Sequence, residues 1–403
     1  MKVAMNRFMQ DVRLRMLRHL EEDILPYWLL PTMLGDPIGN FPTYADQNGV
    51  PDATKPRYVR MHGRQTYAYL AAYYILKRKE LLEYGLSGLK RLKKYENPNG
   101  GYFSQVKSDG EILPTPITIQ DQCYSVFPYI MAYRVTGESQ YLNKVWRFID
   151  FIDKGPYRHP DGTYCDSLMP DLKTETYFET PTMNIVSVID FVNLILIPVI
   201  RVTPDSEMTK ERLDVLIRWT DLLVHDFWGK GIFWNDKFNR NDWRAKHVDL
   251  GHTSKAYGIL FKMNDFLANQ GMSQRYLEIV SQYPELVKAS SEKRIGWLTD
   301  FDSSATTFRR MNLQWWRHIL IDQTVYHYVS RHADLLSFLE RGVRAWFECD
   351  YIDRTRACRG IREGLNPDGK EISSDDNIDC KANLWKNAYH EVEHVLTFLG
   401  GEE

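Results

Sequence analysis

A glycine followed within two residues by an aromatic side chain recurs along the whole chain, about every 60 to 70 residues. The segments between these positions show helical periodicity broken by turn signals, so each interval holds a predicted helix pair and a hairpin or loop. A fixed period of this length is typical of repeat architectures. The repeated positions are Gly39/Phe41, Gly101/Tyr102, Gly162/Tyr164, Gly231/Phe233 and Gly296/Trp297, and Gly360 continues the spacing without a following aromatic residue.

About six such units account for all 403 residues, and no linker separates them. We therefore predict one all-α domain over residues 1–403, in which six helix pairs close into an (α/α)6 toroid or barrel. Short β-hairpins are expected to gather around a cleft at one end. An open α-solenoid is the alternative, but solenoid repeats are usually shorter and need polar capping units, for which we find no sequence signal.

Composition narrows the choice of partners and compartment. A formal net charge of −2 argues against nucleic acid or an anionic membrane as the main partner. The five cysteines are odd in number and form no Cys-x-x-Cys pair, which favours reduced thiols in a cytoplasmic protein. The N-terminus lacks a signal-peptide pattern. The most apolar run, residues 185–200, is interrupted by polar residues and predicts a buried helix rather than a membrane span.

The stretch from Phe233 to Leu260 carries the first candidate for acid–base chemistry. It begins as an aromatic/polar alternation, which predicts a short strand pair with a turn at residues 239–241. Apolar residues then recur at helical spacing after Gly251, so His252 is predicted to lie at the start of a helix. The helix dipole disfavours an imidazolium there and helps to keep the ring neutral, as a general base must be. A capping or packing histidine is the structural alternative.

Further motifs lie at both ends of the chain. They are Arg57–Gln65 with Gly63-Arg64-Gln65 at its end, Phe238…Asp242-Trp243, and Trp385-Lys386…Tyr389-His390. Together with Gly251-His252, and in this order, they resemble the N-acylglucosamine 2-epimerase superfamily, which also contains cellobiose 2-epimerases and mannose-type aldose–ketose isomerases. The resemblance covers nearly the whole chain and implies an (α/α)6 barrel. It also implies that His252 and His390 are the acid/base pair and that Arg64 holds the reacting oxygens.

The implied reaction explains why these residue types are needed. A neutral histidine removes the proton at C2 of an open-chain sugar, and a guanidinium stabilises the enediolate oxygen. The second histidine returns a proton to C2 with inverted configuration, or a proton is delivered to C1 to give the ketose. No metal or organic cofactor is required. The expected partner is a small-molecule carbohydrate, and a homodimer is left open. The residues expected to contact the sugar are Lys255, Asn184, Trp316, Tyr58 and Trp385.

The chain departs from the family where relatives usually carry polar orienting groups. Relatives usually have a Glu three residues after the first histidine, but here that position is Lys255, which shares a helix face with His252. The middle helix around residues 182–187 lacks the usual His and Glu, and Trp315-Trp316 is followed by Leu320 instead of a Glu. A divergent site is therefore predicted, and Lys255 favours a ligand with an acidic group. In the alternative, Lys255 points outward and pairs with Asp249.

Three other functions compete with this interpretation. His390-Glu391-Val392-Glu393-His394 spells the zinc-peptidase motif H-E-x-x-H, but the sequence offers no third ligand in the expected position. A glycoside or unsaturated-uronyl hydrolase on the same toroid would need carboxylates in the cleft. A non-catalytic sugar-binding relative is the third. The carboxylates available to a hydrolase are Asp166, Asp236, Asp242, Asp300 and Glu363.

Overall fold

A computed structural model describes residues 2–177, 183–204, 207–238, 248–301, 307–372 and 380–401 of the chain. These residues form two compact units. The first unit comprises residues 1–27, 226–381 and 390–402, and the second comprises residues 28–225 and 382–389, with residue 403. The prediction of a single closed domain over residues 1–403 stays a prediction. The predicted turn at residues 239–241 and the motif residue Asp242 lie outside the described residues.

Helices dominate both units. The α-helices in chain order are α1 (Lys2–His19), α2 (Leu25–Trp28), α3 (Pro31–Leu34), α4 (Val59–Leu76), α5 (Lys79–Leu92), α6 (Ile119–Val126), α7 (Pro128–Thr136), α8 (Ser139–Asp153), α9 (Ile185–Asp190), α10 (Ile197–Val202), α11 (Glu207–Phe227), α12 (Leu250–Asn269), α13 (Leu277–Val280), α14 (Tyr283–Ser290), α15 (Trp315–Val329), α16 (Leu336–Glu348) and α17 (Tyr389–Phe398). Leu20–Ile24 and Phe191–Leu196 are π-helical, and Lys93–Tyr95 and Ala333–Leu335 are 3₁₀ turns.

The strands are short, two residues each, and pair only antiparallel. They are β1 (Arg57–Tyr58), β2 (Gln105–Val106), β3 (Ile112–Leu113), β4 (Ile117–Thr118), β5 (Ser167–Leu168), β6 (Glu175–Thr176), β7 (Trp228–Gly229), β8 (Ile232–Phe233), β9 (Ser291–Glu292), β10 (Gly296–Trp297), β11 (Asp300–Phe301), β12 (Phe308–Arg309), β13 (Leu313–Gln314) and β14 (Gly364–Leu365). The sheets β1-β2-β3 and β4-β5-β6 belong to the second unit, and the four two-stranded sheets belong to the first.

In the second unit, a glycine sets how closely α4 and α6 approach. A Cβ atom at Gly63 would stand 1.9 Å from the carbonyl oxygen of Tyr124, so only glycine fits at this crossing. The next residue on α4 is Arg64, and the close contact brings its guanidinium against the Tyr124 ring. The Gly-Arg-Gln motif therefore has a packing reason for its glycine as well as a chemical use for its arginine.

In the first unit, a buried carboxylate ties α15 to two other elements. Asp322 on α15 accepts hydrogen bonds from Trp297 Nε1 at 2.7 Å and from His394 Nε2 at 3.2 Å. His318 Nε2 lies 3.6 Å from the same carboxylate, and all four side chains are buried. The N-terminal helix joins the same unit, where Arg13 Nε donates to the carbonyl oxygen of Phe398 at 3.2 Å. The first and last helices of the chain therefore contact each other within this unit.

The six repeated glycines share one backbone conformation. Each has a positive φ, between 63° and 99°, in the left-handed region that glycine adopts without a steric cost. The aromatic residues that follow at positions 41, 102, 233 and 297 are buried. The repeat seen in the sequence is therefore a repeat of turns, four of which are followed closely by a buried aromatic side chain.

Two of these glycines allow the cost of the backbone to be separated from the cost of space. A Cβ at Gly39 would stand 2.6 Å from the backbone carbon of Ser87, whereas a Cβ at Gly162 would meet nothing closer than Arg158 Nη2 at 3.8 Å. Gly162→Ala should cost about 1–2 kcal/mol of unfolding free energy for its positive φ alone. Gly39→Ala should cost about 1–3 kcal/mol more because the site is already filled. Urea denaturation of both variants measures the difference, and equal losses would contradict this account.

The most apolar segment of the chain is a core element. Residues 185–202, which include α9 and α10, have a mean hydropathy of 2.2 and are long enough to cross a membrane, but 72% of this window is buried within the protein. Pro198 lies in α10 just after the π-helical stretch Phe191–Leu196, so the helix continues through it. The predicted buried helix is confirmed.

Candidate functional site

His252 lies at the start of α12, as predicted, and a single carboxylate holds both its backbone and its ring. Asp249 is the N-cap residue of α12, and its Oδ1 accepts the backbone N–H of His252 at 2.8 Å. The other carboxylate oxygen lies 2.9 Å from His252 Nδ1. The indole of Trp316 packs against the opposite part of the ring, with centroids 4.7 Å apart. His252 keeps 20% of its side-chain surface exposed, so its ring can reach a ligand.

Asp249 is fully buried and remains charged. Burial opposes ionisation, but the charge and hydrogen bonds of His252, together with the charge of Arg317, outweigh it and hold the pKa of the Asp249 carboxyl well below its usual range. Arg317 Nε lies 4.0 Å from Asp249, and its Nη1 is 2.6 Å from Asp300. Asp249 and Asp300 also form a backbone bridge. The capping carboxylate is thus an ionised acceptor in a fixed position.

The glycine before His252 permits this arrangement. A Cβ at Gly251 would stand 2.8 Å from Cζ3 of Trp316 and 3.0 Å from Cγ of Arg317. Any larger residue would push the start of α12 away from the start of α15. Gly251 therefore brings His252 within ring-stacking distance of Trp316.

His390 is the second residue of α17 and is 8% exposed. Its ring meets Trp315 edge to face, with centroids 6.3 Å apart. Trp315 and Trp316 are consecutive, and they contact His390 and His252 respectively. The Trp-Trp pair at the start of α15 is therefore the element that both candidate acid/base residues approach.

Lys255 follows His252 by one helical turn on α12 and is 7% exposed. The alternative in which its side chain points outward into solvent is therefore wrong. A buried ammonium group one turn from His252 is a strong local charge, because the surrounding protein screens it less than water would.

In the second unit, Arg64 is a buried cation whose contacts are mostly aromatic. It is 4% exposed, and its Cζ lies 3.7 Å from the Tyr124 ring centroid. Nη1 donates to the carbonyl oxygen of Trp385 at 3.1 Å. Within the described part of the chain, no carboxylate pairs with Arg64, and its buried Nε has no hydrogen-bond partner. Arg64 is therefore a buried residue and not a surface residue held by an ion pair.

The predicted sugar-contacting aromatics of the second unit surround a second arginine one turn earlier. Arg60 Cζ lies 4.4 Å from the ring centroid of Trp385 and 5.3 Å from that of Tyr58. Its Nη1 is 3.2 Å from the buried carboxylate of Asp121. Trp385 is 40% exposed, so its indole has a free face. Arg64, Arg60, Tyr58 and Trp385 thus form one cluster.

Asn184 has a structural task that the sequence did not indicate. It is the N-cap residue of α9, and its side-chain oxygen accepts the backbone N–H of Val186 at 3.1 Å. Its own N–H donates to Asp166 Oδ1 at 3.2 Å. Only its side-chain NH₂ is left for a sugar hydroxyl, and the structure gives it no contact with the other predicted site residues.

The second histidine of the H-E-x-x-H motif is a core residue. His394 is fully buried, its Nε2 is bound to Asp322, and its ring meets Trp346 edge to face at 5.1 Å. Among the described residues, no group of three His, Cys, Asp or Glu side chains is placed to hold a metal ion. Of the carboxylates considered for a hydrolase, Asp300 is paired with Arg317, and Asp166 accepts the backbone N–H of Asn184.

Comparison with known proteins shows which families this chain resembles. Residues 39–186 match the model of the N-acylglucosamine 2-epimerase family. This match contains Tyr58, Arg64 and Asn184 and ends before both histidines. No curated protein sequence matches the chain significantly. The match and the structural similarities below confirm the resemblance to the N-acylglucosamine 2-epimerase superfamily.

Solved structures extend the similarity to almost the full length. Cellobiose 2-epimerase from Spirochaeta thermophila superposes with a TM-score of 0.81 at 17% identity over 98% of both chains. A D-mannose isomerase superposes with a TM-score of 0.78 at 15% identity over 96% of this chain and 97% of that one. The GH76A α-1,6-mannanase from Salegentibacter sp. HEL1_6 gives 0.57 at 12% identity over 94% and 97%. These similarities confirm the predicted fold class, all-α of the (α/α)6 type.

Sequence reasoning missed the most tightly bound residue of the site. The sequence predicted Asp249 only as a possible partner of Lys255, and the structure shows in addition that it binds His252. The signal was present, since an Asp immediately before an apolar helical run is an N-cap signature. The pattern could not indicate that the Asp249 carboxylate also contacts the side chain of His252, three residues later.

Proposed function

We propose that this protein is a sugar 2-epimerase or aldose–ketose isomerase that moves a proton at C2 of an open-chain sugar. The family match and the shared fold support a carbohydrate isomerase. The observation that carries the proposal further is the pairing of His252 with a buried carboxylate at the start of a helix, beside an exposed ring edge. Such a pairing is common where an imidazole must act as a general base.

His252 and His390 are the proposed acid/base pair. One takes the C2 proton of the aldehyde form as the C2–H electron pair moves into the C1–C2 bond and the carbonyl oxygen gains negative charge. The enediolate then regains a proton at C2 from the other histidine to give the epimer. To give the ketose, a proton first passes from O2 to O1, so that the negative charge lies on O2, and C1 is then protonated as the C2 carbonyl forms. Their contacts with neighbouring tryptophans support this assignment, because both rings approach the start of α15.

Arg64 is the proposed stabiliser of the enediolate. A buried guanidinium is costly to desolvate unless a partner compensates its charge. Arg64 has aromatic faces and one carbonyl as partners among the described residues, so an anionic oxygen of the reacting sugar would supply the missing countercharge. Trp385 and Tyr58 are proposed to stack on the sugar ring, and Trp316 and Asn184 to contact its hydroxyls.

Incubation with a panel of reducing sugars in D₂O tests the proposal. Deuterium entering C2 or C1, detected by NMR, supports proton abstraction and identifies the sugar. Cleavage of a glycoside without exchange would support the hydrolase alternative instead. The structural similarity to the mannanase is the reason to test it. Binding of a sugar with neither exchange nor cleavage would identify a non-catalytic relative.

Lys255 provides a test of substrate class. We propose that its ammonium group binds an acidic or strongly accepting group of the sugar, because it is a buried cation one turn from His252. Lys255→Glu should then weaken an acidic sugar at least about 10-fold while affecting its neutral analogue little. Lys255→Met serves as the control that removes the positive charge without adding a negative one. Equal effects of Lys255→Glu on both sugars, measured as KM, would show that Lys255 is structural.

We also propose that the protein acts in the cytoplasm on free sugars, with neither nucleic acid nor membrane as a partner. None of the five cysteines, which all lie in the described part of the chain, forms a disulfide, as expected for a reducing compartment. The modest net charge supports the same assignment.

A further inference from the structure

In the family that this chain resembles, a carboxylate usually follows the first histidine by three residues. Here that position is Lys255, but His252 still has a carboxylate partner. Asp249, three residues before it, takes the backbone N–H of His252 on one oxygen and lies 2.9 Å from Nδ1 on the other. Two contacts from one side chain to one residue fix the position of the ring more firmly than either would alone. The carboxylate partner of His252 is therefore the N-cap residue of α12.

Asp249 is itself held rigidly. The following residue, Leu250, donates its N–H to the carbonyl oxygen of Thr299 at 3.0 Å, and Asp249 bridges to Asp300 through the backbone. Asn235 Nδ2 lies 3.5 Å from Oδ2, and Arg317 approaches Oδ1. The carboxylate is fully buried, so no exposed side chain has to be ordered when a ligand binds.

The charge state of Asp249 decides the tautomer of its partner. An ionised carboxylate can only accept hydrogen bonds, so the hydrogen on the neutral ring must stand on Nδ1. The lone pair is then on Nε2, on the far side of the ring from Asp249. That is the nitrogen available to take a proton from a ligand.

We propose that Asp249 is the positioning residue of His252, fixing both the orientation of the ring and the Nδ1–H tautomer. The inference rests on the proposed function, in which His252 exchanges a proton with the sugar. It adds a residue that would act on the reaction only through the histidine.

The substitution Asp249→Asn tests this directly, because asparagine is also a good N-cap residue. Its amide oxygen can still accept the backbone N–H, but its NH₂ then faces Nδ1 and can only donate. The ring should switch to the Nε2–H tautomer, in which Nε2 has no lone pair to accept a proton from the substrate. We expect kcat to fall by on the order of 10²–10⁴-fold with little change in KM.

The spectroscopic readout is the tautomer itself, from long-range ¹H–¹⁵N correlation of protein labelled at histidine, with His252 assigned by its absence in His252→Asn. The wild-type protein should show the lone pair on Nε2, and Asp249→Asn should show it on Nδ1. The control Asp300→Asn changes a carboxylate that is bound to Arg317 and not to His252, so the tautomer should stay as in the wild type.

Two results would overturn the inference: a wild-type ring with its hydrogen on Nε2, or an Asp249→Asn protein with unchanged tautomer and turnover. The wild-type spectrum tests the tautomer even if Asp249→Asn fails to fold. Failure of the proposed function would look different, because His252→Asn would then keep full activity whatever the tautomer of the wild-type ring.

Discussion

Replacing His390 with asparagine should lower turnover of the exchanged sugar by on the order of 10²–10⁴-fold, the contribution of one general acid–base residue. Asparagine is close to histidine in size and can still form a hydrogen bond, so the packing against Trp315 should largely survive. The loss would therefore fall on kcat. His252→Asn should cause a similar loss, and the two variants together should lose little more than either alone.

The single variants also distinguish the roles of the two histidines. If each serves one face of C2, the remaining histidine should still remove the proton from one epimer. Deuterium would then enter that epimer from D₂O although epimerisation has stopped. His159→Asn is a suitable control, because that ring has 36% of its side-chain surface exposed and bonds to Thr163 on a loop. Unchanged turnover in both His252→Asn and His390→Asn would rule out the proposed pair.

The largest expected effect on stability comes from Asp322. Asp322→Ala would leave the buried Trp297 Nε1–H and His394 Nε2–H without their acceptor. Each unsatisfied buried donor costs about 1–3 kcal/mol, so we expect a total loss of about 3–5 kcal/mol in the free energy of unfolding. Chemical denaturation followed by tryptophan fluorescence measures it.

Asp368→Ala is the matched control for that measurement. Asp368 is also an acid paired with basic residues, but its partners Arg294 and Arg310 are exposed and lie 3.4 Å away. Exposed pairs of this kind contribute roughly 0–1 kcal/mol. If Asp322→Ala destabilised the protein no more than Asp368→Ala, the buried network would have no structural role.

Much of the fold could be predicted because its signals are local. The repeated glycines mark turns that require a positive φ, and the helix pair predicted between Gly39 and Gly101 appears as α4 and α5. His252 was placed at a helix start by the apolar spacing that follows it. The hairpin after Gly101 was also foreseen, as β2 and β3.

What could not be predicted depends on contacts between distant segments. The pairing of β8 with the preceding strand β7, through a turn at Lys230 and Gly231, was not predicted from the aromatic alternation. Three further features depend on which elements pack against each other. They are the role of Asn184 as a helix cap, the burial of Lys255 and the contact of Asp249 with the His252 ring. None of these leaves a periodic mark in the sequence.

The π-helical stretch at Phe191–Leu196 bears on how this chain can be aligned with its structural relatives. A π-turn houses one residue more than an α-turn, and that residue rotates everything beyond it by about 100° around the helix axis. Five of the six side chains in the stretch are nonetheless buried, so the core has absorbed the extra residue. A π-turn of this kind adds one residue to the helix without changing the direction of the helix axis. Where a relative has a regular α-helix here, positions before and after residues 191–196 must be matched separately, because an ungapped alignment would pair inward-facing residues with outward-facing ones.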